Sequence, residues 1–179
     1  NEGFIKRVFK EVLGMDIEVP MQRMTFAEAM EKYGSDKPDT RYGLEIQNIS
    51  ECVKSSEFVV FKSALECGGS VRAIVIKNSA SVLTRKEIDK LTEHAKGIGA
   101  KGLAYVRWVD EAPNCSFAKF MKPEELDAIY ASVGLEQGDV MLICADKNKV
   151  VLPTLGALRQ IVARKLNLIP EGRFNFLWI

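Results

Sequence analysis

The residues best suited to bind a ligand lie in a charged stretch between two glycines. The sequence YGSDKPDTRYG, residues 33–43, combines two aspartates, a lysine and an arginine, and Pro38 fixes one backbone angle. Ligand contacts concentrate in loops that are held between packed elements. We therefore treat residues 33–43, the charged loop, as a candidate binding site. The alternative is a charged surface turn in which Asp36 caps neighbouring backbone, and the residues alone leave both interpretations open.

A second candidate is the glycine-rich stretch GIGAKGLAYVRW, residues 97–108. Gly99 and Gly102 flank Lys101 at the junction between a predicted helix and a predicted strand. Such a turn exposes backbone N–H groups that can bind an anion. The same pattern is also typical of a helix end followed by a tight connection to a strand, which is the interpretation we favour.

Nucleophilic, nucleotide and metal chemistry find little support in the remaining residues. The chain contains no G-x-x-x-x-G-K-[ST] loop, no G-x-G-x-x-G after a strand and no G-x-S-x-G. His94, the one histidine, lies in a stretch rich in Lys and Glu and is predicted to be a solvated helix residue. The cysteines are widely spaced and form no C-x-x-C, which predicts reduced thiols of a cytoplasmic protein and no metal site: Cys52, Cys67, Cys115 and Cys144.

The bulk composition indicates a globular chain with one domain or one and a half. Of the 179 residues, 47% are hydrophobic, and 25 basic residues against 24 acidic ones give a net charge of +1. Because RNA-binding proteins usually carry a basic excess, the composition alone does not favour nucleic acid as a partner.

No apolar run approaches a membrane span and no signal peptide opens the chain. From Asn1 and the apolar ending FNFLWI we expect that neither terminus is natural.

The first 47 residues predict two helices and a loop. Apolar residues recur at helical spacing before Gly14, which predicts an amphipathic helix with one buried face: Phe4, Ile5, Val8, Phe9, Val12 and Leu13. Thr25 and Glu28 form a capping-box pattern that opens a second, short helix ending at Gly34.

The middle of the chain predicts alternating strands and helices. Residues 58–61 and 71–77 are β-type runs joined by ECGGS, which predicts a hairpin. Helices are predicted after a second capping-box pattern, Thr84 to Glu87, and from Pro123 to Gly134. Further strands are predicted at 103–109 and 140–145. The order β-β-α-β-α-β-α predicts an α+β fold of two layers with a mainly antiparallel sheet.

The last part of the chain predicts a longer helix over 151–166 and a strand over 174–179. Apolar residues follow one side of this helix, and the basic residues Arg159, Arg164 and Lys165 are predicted to form its solvated face. The weak boundaries lie near residues 44–50 and 147–152.

Several motifs in order resemble one family. MTFAEAMEKYGSDKPDTRYGLEI, residues 24–46, closely resembles the segment of bacterial-type aspartate–tRNA ligases that follows their second class II signature. The motifs SVLTRKEIDKL, GAKGLAYVRW, AKFM, GDVMLICADKNKVV and LGALRQIVARKL resemble the GAD domain inserted in those enzymes, and FNFLWI is similar to their return strand. The resemblance implies a GAD-like insertion domain at 48–150, flanked by partial segments of a class II catalytic domain at 1–47 and 151–179.

The resemblance also implies a function for the longer parent chain. Such enzymes are cytoplasmic homodimers that attach L-aspartate to tRNA, with ATP and Mg²⁺ as substrate and cofactor. The three class II signatures are absent from these 179 residues, so no catalytic residue is carried over. We expect this segment alone to be inactive and to bind no cofactor, and we expect its partners to be tRNA and the remaining catalytic domain.

The position of the insertion domain in the family, near the tRNA acceptor end, suggests phosphate contacts. The candidates are Lys37, Arg41, Arg85, Lys86 and Lys101. The charged loop contributes structural residues: Gly34, Ser35, Asp36, Pro38, Asp39 and Gly43. Solvated surface charges are the plain alternative. Two other functions stay open, namely a tRNA-positioning GAD module of a tRNA-dependent amidotransferase and a small-molecule-binding regulatory α+β domain that uses the Lys101 turn.

Overall fold

A computed structural model describes all residues, 1–179. Six α-helices alternate with seven strands, and two short 3₁₀ helices lie between them. The helices are α1 (Glu2–Leu13), α2 (Phe26–Tyr33), α3 (Val59–Glu66), α4 (Arg85–Ile98), α5 (Pro123–Val133) and α6 (Asn148–Lys165). The strands are β1 (Gln22–Arg23), β2 (Gln47–Asn48), β3 (Ser70–Ile76), β4 (Ala104–Arg107), β5 (Asn114–Cys115), β6 (Val140–Asp146) and β7 (Leu177–Trp178). None of the helices combines the length and the apolar character needed to cross a membrane.

The main sheet contains five strands in the order β2-β3-β6-β4-β5, and every pair in it is antiparallel. The two central strands, β3 and β6, pair along seven residues, with Ile74 opposite Leu142. The predicted α+β class with an antiparallel sheet is therefore confirmed.

Helices cover both faces of this sheet, so the fold has three layers where the sequence pattern predicted two. Because side chains alternate along a strand, β3 and β6 feed two separate cores. On one face, Ile74 and Leu142 pack with apolar residues of α4 and α6. On the other face, Ala73 and Met141 pack with α3 and α5. All seven residues of β3 are buried, as expected for a strand covered on both sides.

The predicted hairpin around ECGGS is wrong. Residues 59–66 form helix α3, so this stretch connects a helix to β3. The run Phe58-Val59-Val60-Phe61 is short and consists of aromatic and β-branched residues, and periodicity alone does not separate a strand from a helix in so short a run. The burial pattern follows helical spacing, since Phe61 and Ala64 are buried while Val59 and Val60 are exposed.

The two capping-box patterns have different outcomes. At α2 the Thr25 hydroxyl accepts from the Glu28 N–H, and the Glu28 carboxylate accepts from the Thr25 N–H. At α4 the helix begins as predicted, but the Thr84 side chain makes no capping hydrogen bond. The Glu87 carboxylate instead accepts from Lys165 of α6 and from Lys90. Hydrogen bonds from these two ammonium groups lower the pKa of Glu87 from its ordinary 4.5 to about 2.

A buried carboxylate stabilises the turns where β3 ends and β6 begins. Asp139 lies just before β6, and its side chain accepts from the N–H groups of Asn78 and Glu136 at 3.0 and 2.9 Å. The Lys77 ammonium lies 2.9 Å from the second oxygen. Asn78 has a positive φ of 50°, a conformation that asparagine tolerates, so Asp139 also supports a turn in the left-handed region.

Helix α6 begins at Asn148, three residues earlier than predicted, and is continuous through Pro153 to Lys165. The expected domain boundary between 150 and 151 therefore falls inside a helix that packs on the sheet. The terminal strand is shorter than predicted, and β7 pairs in parallel with β1.

Helix α1 has the predicted extent, but its predicted buried face is wrong within these residues. None of its side chains is buried, and Phe4 and Val12 are each 73% exposed. Phe9 alone finds aromatic neighbours, with its ring centroid 5.7 and 4.8 Å from those of Phe174 and Phe176. The helix is amphipathic, and apart from Phe9 and the half-buried Ile5 its apolar face is exposed in this chain.

Candidate functional site

The charged loop is held by a basic residue far away in the sequence. Arg159 of α6 is only 1% exposed, and its guanidinium donates to three backbone carbonyls. Its Nε lies 2.7 Å from the Leu44 oxygen, and its Nη2 lies 2.9 Å from the Gly43 oxygen and 3.3 Å from the Asp39 oxygen. The prediction that Arg159 belongs to the solvated face of its helix is therefore wrong.

Two tyrosine rings complete the surroundings of Arg159. Its Cζ lies 4.7 Å from the ring centroid of Tyr33 and 5.1 Å from that of Tyr42, distances at which cation–π attraction contributes. Burial lowers the pKa of Arg159, but a guanidinium remains protonated in proteins. Burial also raises the pKa of both tyrosines. The site thus carries a fixed positive charge compensated by carbonyl dipoles and aromatic faces.

The helix before the charged loop contacts α6 backbone to backbone. Gly34 ends α2 at φ 66°, and a Cβ there would lie 2.0 Å from the Leu152 oxygen. A Cβ at Gly156 would lie 2.6 Å from the Gly34 oxygen. Both positions therefore require glycine, because no side chain fits between the two backbones.

The sheet also holds α2. Arg72 of β3 is 4% exposed, and its two terminal nitrogens donate to the two carboxylate oxygens of Glu31 at 2.6 and 3.1 Å. This bidentate geometry is the strong form of an arginine–carboxylate pair. The charged loop is consequently fixed at its start by α2, which is itself attached to both α6 and β3.

Within the charged loop, Asp39 and Arg41 form a second bidentate pair. The Arg41 Nε and Nη2 lie 3.0 and 2.7 Å from the two Asp39 oxygens, and these hydrogen bonds lower the pKa of Asp39. The Arg41 Nη1 donates to the Arg173 carbonyl at 3.3 Å, and the Asn175 amide donates to the Thr40 carbonyl at 3.2 Å. The loop is therefore also tied to the last residues of the chain.

The tip of the charged loop is open to solvent. The Lys37 side chain is 84% exposed and lies 3.0 Å from the Asp36 carboxylate. Together with Arg41, Lys37 lines a cleft of about 250 Å³ between the loop and residues 174–176. These two predicted contacts therefore share one cleft.

The other predicted cations lie elsewhere on the surface. Arg85 and Lys86 open α4, are exposed, and form no ion pair with any carboxylate. Lys101 follows α4 and lines a different groove, of about 300 Å³, together with Val59, Val60 and Lys147. The structure thus divides the five predicted cations among separate places.

Gly99 does end α4, with φ 123°, so the stretch around Lys101 is a helix end followed by a connection to β4.

All four cysteines are free thiols, and Cys144 is buried. Burial raises the pKa of Cys115, which is the opposite of what activates a nucleophilic thiol. No cluster of three or more His, Cys, Asp or Glu side chains is arranged to hold a metal ion.

Sequence reasoning missed Arg159, although a signal was present. It lies four residues after Leu155 and three before Val162, both fully buried, so helical geometry places it on the buried face. Gly156, inside a long helix, was a second signal, because an interior helical glycine often marks a close packing contact.

Comparison with known proteins gives a family match and a group of similar relatives. The model of the GAD domain family matches residues 61–155. Over its whole length the chain is 52% identical to the "Aspartate--tRNA ligase" of Agathobacter rectalis and to that of Clostridium botulinum strain Eklund 17B. It is 50% identical to the "Aspartate--tRNA(Asp/Asn) ligase" of Lachnoclostridium phytofermentans. In each case the chain spans 30% of the length of the relative.

Proposed function

Because residues 61–155 make up more than half of its length, this chain belongs to the GAD domain family, and we propose that it serves an aspartate–tRNA ligase as the inserted domain with its flanking segments. The observation that carries the proposal is the 52% identity to such ligases over the entire chain. This identity extends through residues 1–60 and 156–179, outside the GAD match, which favours a ligase over an amidotransferase module.

The parent reaction would join L-aspartate to tRNA in the cytoplasm, with ATP and Mg²⁺. The 179 residues lack the three class II signatures, so we propose that they are inactive alone and act through the rest of the catalytic domain. The uncovered apolar face of α1, with Phe4 and Val12 exposed, supports such a partner, because a patch of this kind normally packs against another surface. Homodimer formation belongs to the same proposal.

The contribution of this chain would be to position tRNA through phosphate contacts. Support differs among the five candidate cations. Arg85, Lys86 and Lys101 are without carboxylate partners and are free to meet a phosphate. Two of the five N–H donors of the Arg41 side chain are committed to Asp39 and a third to the Arg173 carbonyl, so we propose that Arg41 shapes the loop more than it binds RNA.

The parent reaction is tested with the full-length enzyme and this chain side by side. We expect ATP–pyrophosphate exchange with aspartate, and aspartylation of tRNA, only from the full-length enzyme. Turnover by the 179 residues alone would contradict the proposed division of labour, and a full-length enzyme that fails to charge tRNA with aspartate would contradict the function itself.

The phosphate contacts are tested by Lys86→Ala in the full-length enzyme. Removal of a phosphate contact weakens tRNA binding regardless of the RNA sequence. It also reduces the slope of the logarithm of the binding constant against the logarithm of salt concentration by about 1. Lys96→Ala is the matched control, because Lys96 lies on the same helix but is 2.8 Å from Glu93. If the two substitutions have equal effects on tRNA binding, Lys86 does not contact a tRNA phosphate.

A further inference from the structure

Arg159 is the largest fully buried side chain of the molecule, and its acceptors all belong to one distant segment. The hydrogen bonds run from α6 to the carbonyls of Asp39, Gly43 and Leu44, which are 115 to 120 residues earlier in the sequence. No carboxylate lies within hydrogen-bonding distance of its guanidinium. A buried cation arranged in this way stabilises a particular backbone path.

Side-chain hydrogen bonds from Arg41, Asn175 and Arg159, rather than regular secondary structure, support that backbone path. Residues 34–46 contain no regular secondary structure, and Leu44 adopts a positive φ of 61°, which is unfavourable for a side chain of its type. The three carbonyls accept from no other donor in the chain, so loss of the guanidinium would remove the hydrogen-bond partner of each. The path of the loop therefore depends on Arg159.

The loop also joins two parts of the molecule. Arg159 lies on the helix that packs on the main sheet, while Lys37 and Arg41 lie in the cleft beside residues 174–176. Any shift of α6 therefore moves the carbonyls that define the loop, and with them the two cations.

We propose that Arg159 is a positioning residue for tRNA charging, which sets the place of the charged loop relative to the GAD domain. This inference rests on the proposed function. Arg159 itself is buried and does not touch tRNA; it acts through the loop. Lysine does not replace it, because a single ammonium lacks the planar fork that reaches several carbonyls while stacking between two rings.

The test uses the full-length enzyme with Arg159→Lys and Arg159→Met. Arg164→Met is the matched control, since Arg164 is exposed on the same helix and makes no side-chain hydrogen bond or ion pair. Hydrogen exchange of the amides between residues 41 and 46 reports the loop directly. Steady-state charging gives KM for tRNA, and ATP–pyrophosphate exchange reports the aspartate-activation step.

We expect both Arg159 variants to raise exchange of the loop amides at least tenfold and to leave β3 and β6 unchanged. KM for tRNA should rise several-fold, while ATP–pyrophosphate exchange stays within twofold of wild type and Arg164→Met resembles wild type throughout. The lysine variant keeps the charge, so it remains informative if the methionine variant folds poorly.

Unchanged loop exchange in Arg159→Lys would overturn the proposal. So would an equal loss of charging and of ATP–pyrophosphate exchange, because Arg159 would then support the catalytic domain as a whole. These outcomes are separate from a failure of the proposed function, which would appear as absent aspartylation in the wild-type enzyme while hydrogen exchange still tested the role of Arg159 in the loop.

Discussion

The contact between Gly34 and Gly156 predicts that Gly156→Ala destabilises the chain, against the usual trend for helices. At an unstrained helical site, alanine in place of glycine stabilises by about 0.4–1 kcal/mol. Here the new Cβ would lie 2.6 Å from the Gly34 oxygen and 2.8 Å from the Tyr33 oxygen, closer than real Cβ contacts. The two backbones must move apart, and overpacking of this kind costs about 1–3 kcal/mol.

The two effects together give a net loss of about 2 kcal/mol at the upper end of the overpacking range, which corresponds to a fall of roughly 4–8 °C in Tm for a chain of this size. Urea denaturation followed by circular dichroism measures the loss as a lower midpoint with an unchanged slope. A change in the slope would indicate altered compactness.

Gly97→Ala is the matched control. Gly97 also lies in a helix, α4, but a Cβ there meets nothing within 4 Å. We expect it to be neutral or to stabilise by up to about 1 kcal/mol. If Gly156→Ala stabilises the chain as much as Gly97→Ala does, the two backbones are not in contact and the packing argument is wrong.

Three further substitutions test the local structure by denaturation. Asp139→Asn removes a buried charge that satisfies two backbone N–H groups and a lysine, and should cost about 2–4 kcal/mol; a loss below 0.5 kcal/mol, on the order of a surface change, would contradict this. Glu87→Gln should destabilise at neutral pH: the folded pKa of about 2 is depressed, so the stabilisation by Glu87 is present above 4.5 and lost as pH falls toward 2, where variant and wild type should converge. A difference that stays constant with pH would refute the ion-pair explanation. Thr25→Ala should cost about 1 kcal/mol, whereas Thr84→Ala should cost much less, since only Thr25 caps its helix; equal costs would contradict the observed hydrogen bonds.

Elements with strong local signals were predictable from the sequence. Helix ends at Gly14, Gly34 and Gly134 adopt the left-handed conformation that glycine favours, and Pro123 occupies the first position of α5. These features depend on neighbouring residues alone, so the local sequence is enough to predict them.

The errors have a common physical origin in long-range packing. Residues 59–66 are helical because Phe61 and Ala64 find a core on the second face of the sheet, which no local pattern reveals. Glu87 matches a capping box, but α6 brings Lys165 to its carboxylate. Arginine is usually a surface residue, but Arg159 is buried because three carbonyls from residues 39–44 accept hydrogen bonds from it. In each case a partner distant in sequence outweighs the local preference.

Because of these long-range contacts, the residues that share the two cores extend beyond the residues that match the GAD family. Residues 61–155 stop inside α6, before Leu158 and Val162, which are fully buried in the core on that face of the sheet. They also omit Ile46, from the same core, and Ile49, from the opposite one. Removing several large side chains from two cores costs a few kcal/mol each, which is comparable to the whole stability of a domain. We therefore expect the cooperative folding unit to extend beyond residues 61–155 to the charged loop and to the end of α6, and Arg159 lies close to the end of the GAD match.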